Sequence, residues 1–425
     1  MFAKASLRQW PWWELALLSF PSAFMLVGFW LLQRLDVPTA GDRLWPAVVA
    51  ALLALGAHVL LGRLCPNHDP VLLPLALMLN AVGLVMIERL ASNFTLRQVL
   101  AMLVGLSMAV ALAAWPHALY TLKRVRYTLI LPGLLLLAIT VVIGLSPLGS
   151  GPSLSLRIGP FGFQPSEPLK LLLIIFLASY LDLHHEKFRS VRLRRLWRER
   201  RWLWVYFPML FTWGFAMLLL VLQRDLGAAL LFFSLFLIMT YLATGRYDHV
   251  LIGLVLFAAG AFVTAQFFEH VQARIAIWRN PWPEAEGAAF QVVQALLAVA
   301  AGGVVGQGLG QGFPDFVPVV HSDFILVAVA EEFGLAGVLA LVALYLLFME
   351  RGFRVALRAR DGFAQLLAGG ITALICLQAL IIMAGSLKLI PLTGITLPFV
   401  SYGGSSLMTS YAAVGLLLRI SAETP

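Results

Sequence analysis

Charged side chains are scarce in this sequence: 12% of its 425 residues, against about 25% in an ordinary soluble domain. So little charge, alongside 61% hydrophobic residues and a mean hydropathy of +0.90, cannot cover a water-soluble surface. It equally excludes a disordered chain. Cysteine is scarcer still. Cys65 and Cys376 are the only two, which excludes a disulfide scaffold and a cysteine-rich zinc module. Acidic residues are outnumbered by basic ones, 21 to 30, giving a formal charge of +9. In so apolar a chain that excess belongs to cytoplasmic loops before it belongs to nucleic acid, and its placement decides.

What the sequence does have is long apolar runs. A hydrocarbon core of about 30 Å needs roughly 20 apolar residues per helix, and about twelve stretches qualify. They cover 13–33, 44–62, 71–88, 98–115, 127–145, 166–183, 203–222, 226–243, 249–268, 323–349, 363–387 and 396–418. The fold class is therefore all-α, a polytopic membrane helix bundle. The first run follows Lys4 and Arg8 but precedes no small-residue cleavage site, so it reads as a retained span. With the N-terminus in the cytoplasm, the even-numbered loops collect Arg63, Lys123, Arg124, Arg126, Arg246, Arg351, Arg354, Arg358 and Arg360. They also collect the basic run 187–201, and Arg419 follows the last span. That alternation places both termini in the cytoplasm. The run 187–201 reads as a solvated loop facing lipid headgroups, with no nucleic-acid partner implied. Two large segments face outward, 146–165 and 269–322, both rich in Gly and Pro; any external site must be built from them.

Charge inside a bilayer costs at least about 2.5–3.5 kcal/mol, so each case needs a reason. Glu167 and Lys170, in Gln164-Pro165-Ser166-Glu167-Pro168-Leu169-Lys170, share one face at the start of the sixth run. They read either as a local ion pair or as an ammonium held for an anionic headgroup. Asp225, before the eighth run, and Asp323, in His321-Ser322-Asp323 opening the tenth, read first as helix caps. Glu331 and Glu332 lie roughly 12 Å deeper and point about 100° apart, so at least one should face the interior and meet a basic or hydroxyl partner. The outer segment offers Arg274 and Arg279, then Glu284 and Glu286, a combination that can supply a general base beside phosphate-binding charge. The glycine run 306–312 follows no strand and is rejected as a dinucleotide fingerprint. His184-His185 lacks companion ligands at zinc spacing. The segment 391–406, with Pro391, Pro398, Gly394, Gly403 and Gly404, cannot be a plain lipid-facing helix. It must be covered by protein or line a wet cavity.

Three of these features in this order match something specific. Gln-Pro-Ser-Glu at 164–167 with Lys170, His-Ser-Asp-Phe at 321–324 leading to Glu331-Glu332, and Pro-Leu-Thr-Gly-Ile-Thr-Leu-Pro-Phe-Val-Ser-Tyr-Gly-Gly-Ser-Ser at 391–406 resemble the SEDS family of RodA, FtsW and SpoVE. The resemblance implies a ten-helix domain over 66–425 with its outer loop at 269–322. Residues 1–65 then form two additional transmembrane helices. It also implies a peptidoglycan glycosyltransferase of the bacterial cytoplasmic membrane, acting in elongation or division. Such an enzyme polymerises lipid II at the outer face, beside a class B penicillin-binding protein.

The family's catalytic aspartate stands in a pattern like Asn-Pro-Trp-x-Asp-Pro-x-Gly. Placed on Asn280, Pro281, Trp282 and Gly287, that position holds Glu284, a departure that keeps the carboxylate and lengthens its arm. The family's usual proline before Asp225 is here Arg224. Carried over residue by residue, Glu284 and Lys170 are the catalytic pair. Glu167, Arg274, Arg279, His321, Asp323, Ser401 and Ser405 are expected to bind substrate. Gln164, Asp225, Glu331 and Glu332 support them. The expected geometry folds the Glu284 carboxylate down over Lys170. Charge on the departing pyrophosphate would be met by Lys170, Arg274 or Arg279, or by a divalent cation, Mg2+ or Mn2+; no other cofactor is implied. A lipid-precursor flippase and a non-catalytic scaffold are the competing classes.

Overall fold

The computed structural model describes residues 12–35, 37, 40–41, 43–144, 155–158, 161–190 and 201–423. Lys4, Arg8 and the basic run read over 187–201 lie outside the described side chains. Each apolar run found in the sequence lies wholly or mostly on a helix. In chain order these are α1 (Trp12–Arg34), α2 (Trp45–Leu64), α3 (Leu72–Ala91), α4 (Thr95–Ala114), the short α5 (Ala118–Arg124) and α6 (Arg126–Ile143). Then come α7 (Ser166–Ser190), α8 (Arg201–Leu222), α9 (Leu226–Thr244) and α10 (Tyr247–Phe267). The last five are α11 (Glu269–Arg279), α12 (Phe290–Gly302), α13 (Ile325–Arg358), α14 (Gly362–Ser386) and α15 (Gly404–Glu423). Among the described residues, eight segments are long and apolar enough to cross a membrane, one of them holding α3 and α4 together. The protein is a polytopic membrane helix bundle.

Helix α14 sits at the centre, with 83% of its most apolar stretch buried, and packs on α7, α9 and α13. Helix α10 is peripheral, with only 6% buried, so its Leu, Val and Phe side chains face outward as lipid-facing residues should. The two leading helices pack on each other and on α3 and α4, so they extend the bundle along one side.

Three local features differ from the sequence reading. The outer segment 269–322 is largely helical, through α11 and α12. A small hairpin, β1 (Leu156–Ile158) and β2 (Phe161–Phe163), precedes α7 with Arg157 opposite Gly162. The last helix starts at Gly404, not near 396, because Pro391, Pro398 and the glycines leave 387–403 irregular.

The glycine run 303–308 has a structural use. Helix α13 breaks at Gly334 (φ 66°, ψ −166°), and the run is laid into the break. Gln307 N donates to Glu331 O and Gly308 N to Glu332 O, while Leu335 N and Ala336 N donate to Gly303 O and Val304 O. The backbones approach so closely that a Cβ on Gly302 would sit 1.9 Å from Ala330 O.

Candidate active site

The site is organised around the irregular segment 387–403. Its carbonyls would be stranded in an apolar bundle, where each unsatisfied group costs several kcal/mol. Instead, polar side chains from the surrounding helices reach them. Asn80 of α3 donates to Phe399 O at 3.0 Å and Gln98 of α4 to Ser401 O at 3.3 Å. Tyr345 of α13 donates to Pro398 O, and Gln378 of α14 to Thr396 O at 2.8 Å. From the outer helix α11, Arg274 donates to Leu392 O at 3.0 Å and Trp278 to Lys388 O at 3.1 Å.

Beneath this segment lies the ion pair expected at the head of α7. Lys170 Nζ stands 2.7 Å from Glu167 and donates to Gln378 Oε1 at 2.8 Å, with both charged side chains buried. Gln378 therefore bridges the lysine to Thr396, whose hydroxyl donates to Ser406 at 2.8 Å. Gln164 enters through its backbone, its amide donating to Ser405 Oγ at 3.1 Å. Asp225 caps α9 as expected, accepting from Ala228 N at 2.9 Å. Burial pushes its carboxyl up to about 6, a shift opposed first by the Ala228 amide, then by Lys170 and, more weakly, Arg274.

Asp323 does not cap α13. The residue before that helix is Phe324, without a side-chain cap, and Asp323 instead accepts from the Ser322 hydroxyl at 2.8 Å. Burial raises its carboxyl above the ordinary range, while the Ser322 bond and Arg274 pull the other way. Ser401 ties the corner together: its hydroxyl donates to Ser322 O at 2.6 Å and accepts from Leu397 N at 2.9 Å. His321 packs against the rings of Phe94, at 5.1 Å, and Tyr402, at 5.8 Å, and burial lowers its pKa. Lys170 and Arg274 thus face Glu167, Asp225 and Asp323 across one bed.

The expected closure of Glu284 over Lys170 is not seen. Glu284 is exposed at the end of a single 3-10 turn, Trp282–Glu284, and no hydrogen bond or ion pair joins it to Lys170. The turn is held by its own backbone: Glu284 N donates to Pro281 O, and Glu284 O accepts from Gly287 N and Ala289 N. Arg279 is also exposed and lies outside the bed.

Glu331 and Glu332 belong to a second cluster. Glu332 meets Arg89 of α3 at 2.8 Å, and Arg89 continues to Asp315 at 3.2 Å and Gly312 O at 3.0 Å. Glu331 accepts from Phe313 N at 2.8 Å. This pair anchors the outer segment, as the requirement for a basic partner foretold.

Sequence reasoning missed Gln378, Arg89, Asn80 and Gln98. Asn80, Gln98 and Gln378 are polar residues inside apolar runs and Arg89 directly follows one, and the cost of burying such groups is the signal that could have found them.

Backbone strain gathers at the same place. Arg224, Lys388 and Phe399 have φ of 59°, 59° and 66°, in the left-handed region unfavourable to side chains. Proline cannot adopt Arg224's φ, so this corner turns differently from one built on proline.

Among the described residues, no three His, Cys, Asp or Glu side chains converge to hold a metal ion. The described residues therefore offer no protein-only cage for a divalent cation.

Residues 71–425 match the family of FtsW, RodA and SpoVE, described as cell cycle proteins. The chain is 38% identical over 380 residues to the peptidoglycan glycosyltransferase RodA of Mycobacterium tuberculosis strain H37Rv, covering 86% of this chain and 80% of that one. It is 33% identical to a probable peptidoglycan glycosyltransferase FtsW of Geobacter sp. strain M18, covering 85% and 98%. Among solved structures, it resembles the Rod shape determining protein RodA of Thermus thermophilus with a TM-score of 0.60 and 27% identity, over 84% of this chain and 97% of that one. It also resembles a chain of a peptidoglycan synthase complex, reported for the structural coordination of polymerization and crosslinking. There the TM-score is 0.63 and the identity 26%, over 90% of this chain and 98% of that one.

Proposed function

The chain belongs to the FtsW, RodA and SpoVE family of peptidoglycan glycosyltransferases, and from that premise we propose that it polymerises lipid II on the bed beneath 387–403, using Glu284 as general base. It is an enzyme of the inner membrane with multiple spans.

The 4-hydroxyl of the acceptor sugar attacks the anomeric carbon of the donor. The new C–O bond forms with inversion as the bond from that carbon to the pyrophosphate oxygen breaks. The hydroxyl proton passes to Glu284, and the polyprenyl pyrophosphate departs with the bonding electrons. Pyrophosphate is already a good leaving group and needs no general acid. Its growing charge is met by Lys170 and Arg274, fixed in place by Glu167, Gln378 and the Leu392 carbonyl before the substrate arrives. The polyprenyl chain stays in lipid, which is why the reaction is placed at the membrane's outer face.

The observation that carries this reading is the buried Lys170 coupled to Glu167, Gln378 and Asp225 directly under a segment held open by side chains. Glu284 is exposed and bonded to none of these groups, so in this reading the substrate completes the site. The glutamate arm reaches further than the family's aspartate, and a carboxylate that approaches from outside can use that length. The likeness to a peptidoglycan synthase complex supports a class B penicillin-binding protein as the transpeptidase partner.

The test is polymerisation of purified lipid II by the chain with that partner. Glu284→Gln should abolish polymer, and Glu284→Asp should retain it at a lower rate. Undiminished polymer from Glu284→Gln would remove this residue from the base role.

A further inference from the structure

The two leading helices do more than widen the bundle. Between their connecting loop and the α3–α4 turn lies an outer-face cavity of about 460 Å³, lined by Gly41, Arg43, Trp45, Glu88, Asn93 and Thr95 among others. That volume lies in the range of sites for small organic ligands, about 300–1,000 Å³. Half of its wall comes from the additional hairpin and half from the ten-helix domain.

We infer that this cavity is a saccharide-binding subsite, which holds a sugar of the glycan strand beside the polymerisation site. The inference deepens the polymerase reading and rests on it for the source of the sugar. Its first support is position. The turn Ser92–Phe94 has two faces. Phe94 turns to the catalytic segment, stacking on Tyr402 at 4.6 Å and meeting His321 at 5.1 Å. Its neighbours Asn93 and Thr95 line the cavity. A strand attached at the bed therefore needs to pass only one turn of chain to reach it.

The second support is chemistry. Glu88 is buried at the wall, its carboxylate held by the Thr95 hydroxyl and close against Gly41. A Cβ on Gly41 would lie 2.4 Å from Glu88 Oε1, so glycine is what lets the hairpin loop seat there. Arg43 and Glu88 both line the cavity, one basic and one acidic, so its wall is not one-sidedly cationic as an anion site would be. A phosphate would face that carboxylate. A polyol would face it favourably, because hydroxyl groups donate to carboxylates and accept from guanidinium and amide groups, whereas a phosphate would be repelled. The exposed Trp45 ring offers an apolar face for a pyranose C–H surface, and Asn93 offers both donor and acceptor.

The experiment uses the full chain in lipid nanodiscs and a photoreactive β-1,4-linked N-acetylglucosamine tetrasaccharide, with the label sites mapped by mass spectrometry. Labelling should fall on 41–46 or 92–96. It should drop at least five-fold in Trp45→Ala and Asn93→Ala and survive in Trp45→Phe. Mean product length from lipid II should fall at least two-fold in the two alanine variants. Labelling absent from these residues, or indifferent to the alanine variants, overturns the inference. So does preferential labelling of the same residues by a photoreactive phospholipid, which would make Trp45 a plain interfacial anchor. Labelling needs no turnover, so a wild-type chain that forms no polymer refutes the polymerase reading and leaves this measurement standing.

Discussion

Replacing Arg89 by methionine should be among the most damaging single changes outside the catalytic bed. Arg89 Nε lies 2.8 Å from Glu332, and these two side chains are 3% and 0% exposed. Removing one partner of such a pair costs about 3–5 kcal/mol, because the other charge stays buried without its counter-charge. The arm to Asp315 adds little: that carboxylate is 39% exposed, and exposed pairs contribute about 0–1 kcal/mol. The third arm, to Gly312 O at 3.0 Å, is charge-assisted and worth about 1.5–3 kcal/mol at most. Arg89→Met should therefore lose about 3–5 kcal/mol and Asp315→Asn less than about 1 kcal/mol. Glu332 Oε2 already lacks a hydrogen-bond partner, so adding Glu332→Gln to Arg89→Met should recover more than half of the loss by removing the stranded charge. Unfolding free energies of the wild type, Arg89→Met, Glu332→Gln and the double variant in mixed micelles give the cycle. Limited proteolysis of 303–316 should speed up in Arg89→Met, which removes its ties to Gly312 and Asp315. An Arg89→Met protein within about 1 kcal/mol of wild type, or a double variant no better than that single, would refute the reasoning.

Three further outcomes follow from the geometry. Lys170→Met should lower polymerisation by about 10²–10³-fold, the usual effect of losing one oriented charge at a transition state. Lys170→Arg should not restore it, since Glu167 and Gln378 fix a small ammonium at 2.7 and 2.8 Å; steady-state rates with lipid II decide. Gly83→Ala should destabilise by about 1–3 kcal/mol, because its Cβ would lie 2.3 Å from Val400 O, which is backbone and cannot step aside. Gly56→Ala, with nothing within 4 Å of the added carbon, should instead stabilise by about 0.4–1 kcal/mol; a reversed order in thermal unfolding would show the helix contacts to be misread. Asp225 should make stability depend on pH. Its folded pKa of about 6 lies above the ordinary value near 4, so folding takes up a proton between the two. The stabilisation is full below about 4 and is lost as pH rises through about 6; Asp225→Asn should flatten that slope in unfolding measured from pH 4 to 7.

The parts of the site legible in the sequence were those set by local spacing. Glu167 and Lys170 are three residues apart, so helix geometry alone puts them together. The prolines and glycines of 391–406 announce a broken backbone whatever surrounds it. The Arg89–Glu332 contact joins residues 243 positions apart, and periodicity carries no information about which helices become neighbours. The same limit hid Gln378, whose role depends on α14 lying beside α7. Asp323 failed as a cap for a smaller reason: α13 begins one residue too late, and the Ser322 hydroxyl already occupies the carboxylate. Glu284 could be placed in a motif but not in space. Its turn is closed by its own backbone bonds, which fix its local shape and not its distance from Lys170.

That contrast separates two kinds of residue in this enzyme. Asn80, Gln98, Tyr345 and Gln378 each satisfy a carbonyl of the irregular segment, so they hold the bed that orients Lys170 and Arg274. Loss of any one leaves a buried acceptor unpaired, at about 1–3 kcal/mol, and lets the bed shift. Misplacement on the order of 1 Å is enough to slow catalysis by about 100-fold. Stability and rate should therefore fall together in Asn80→Leu and Gln98→Leu. Glu284 is exposed and bonded only through its backbone, so Glu284→Gln should lose rate at unchanged stability. Plotting rate against unfolding free energy for these variants should give one correlated group and one point far off it. If Glu284→Gln fell on the common line, its carboxylate would be a structural group, and the base would have to be sought among Asp225 and Asp323.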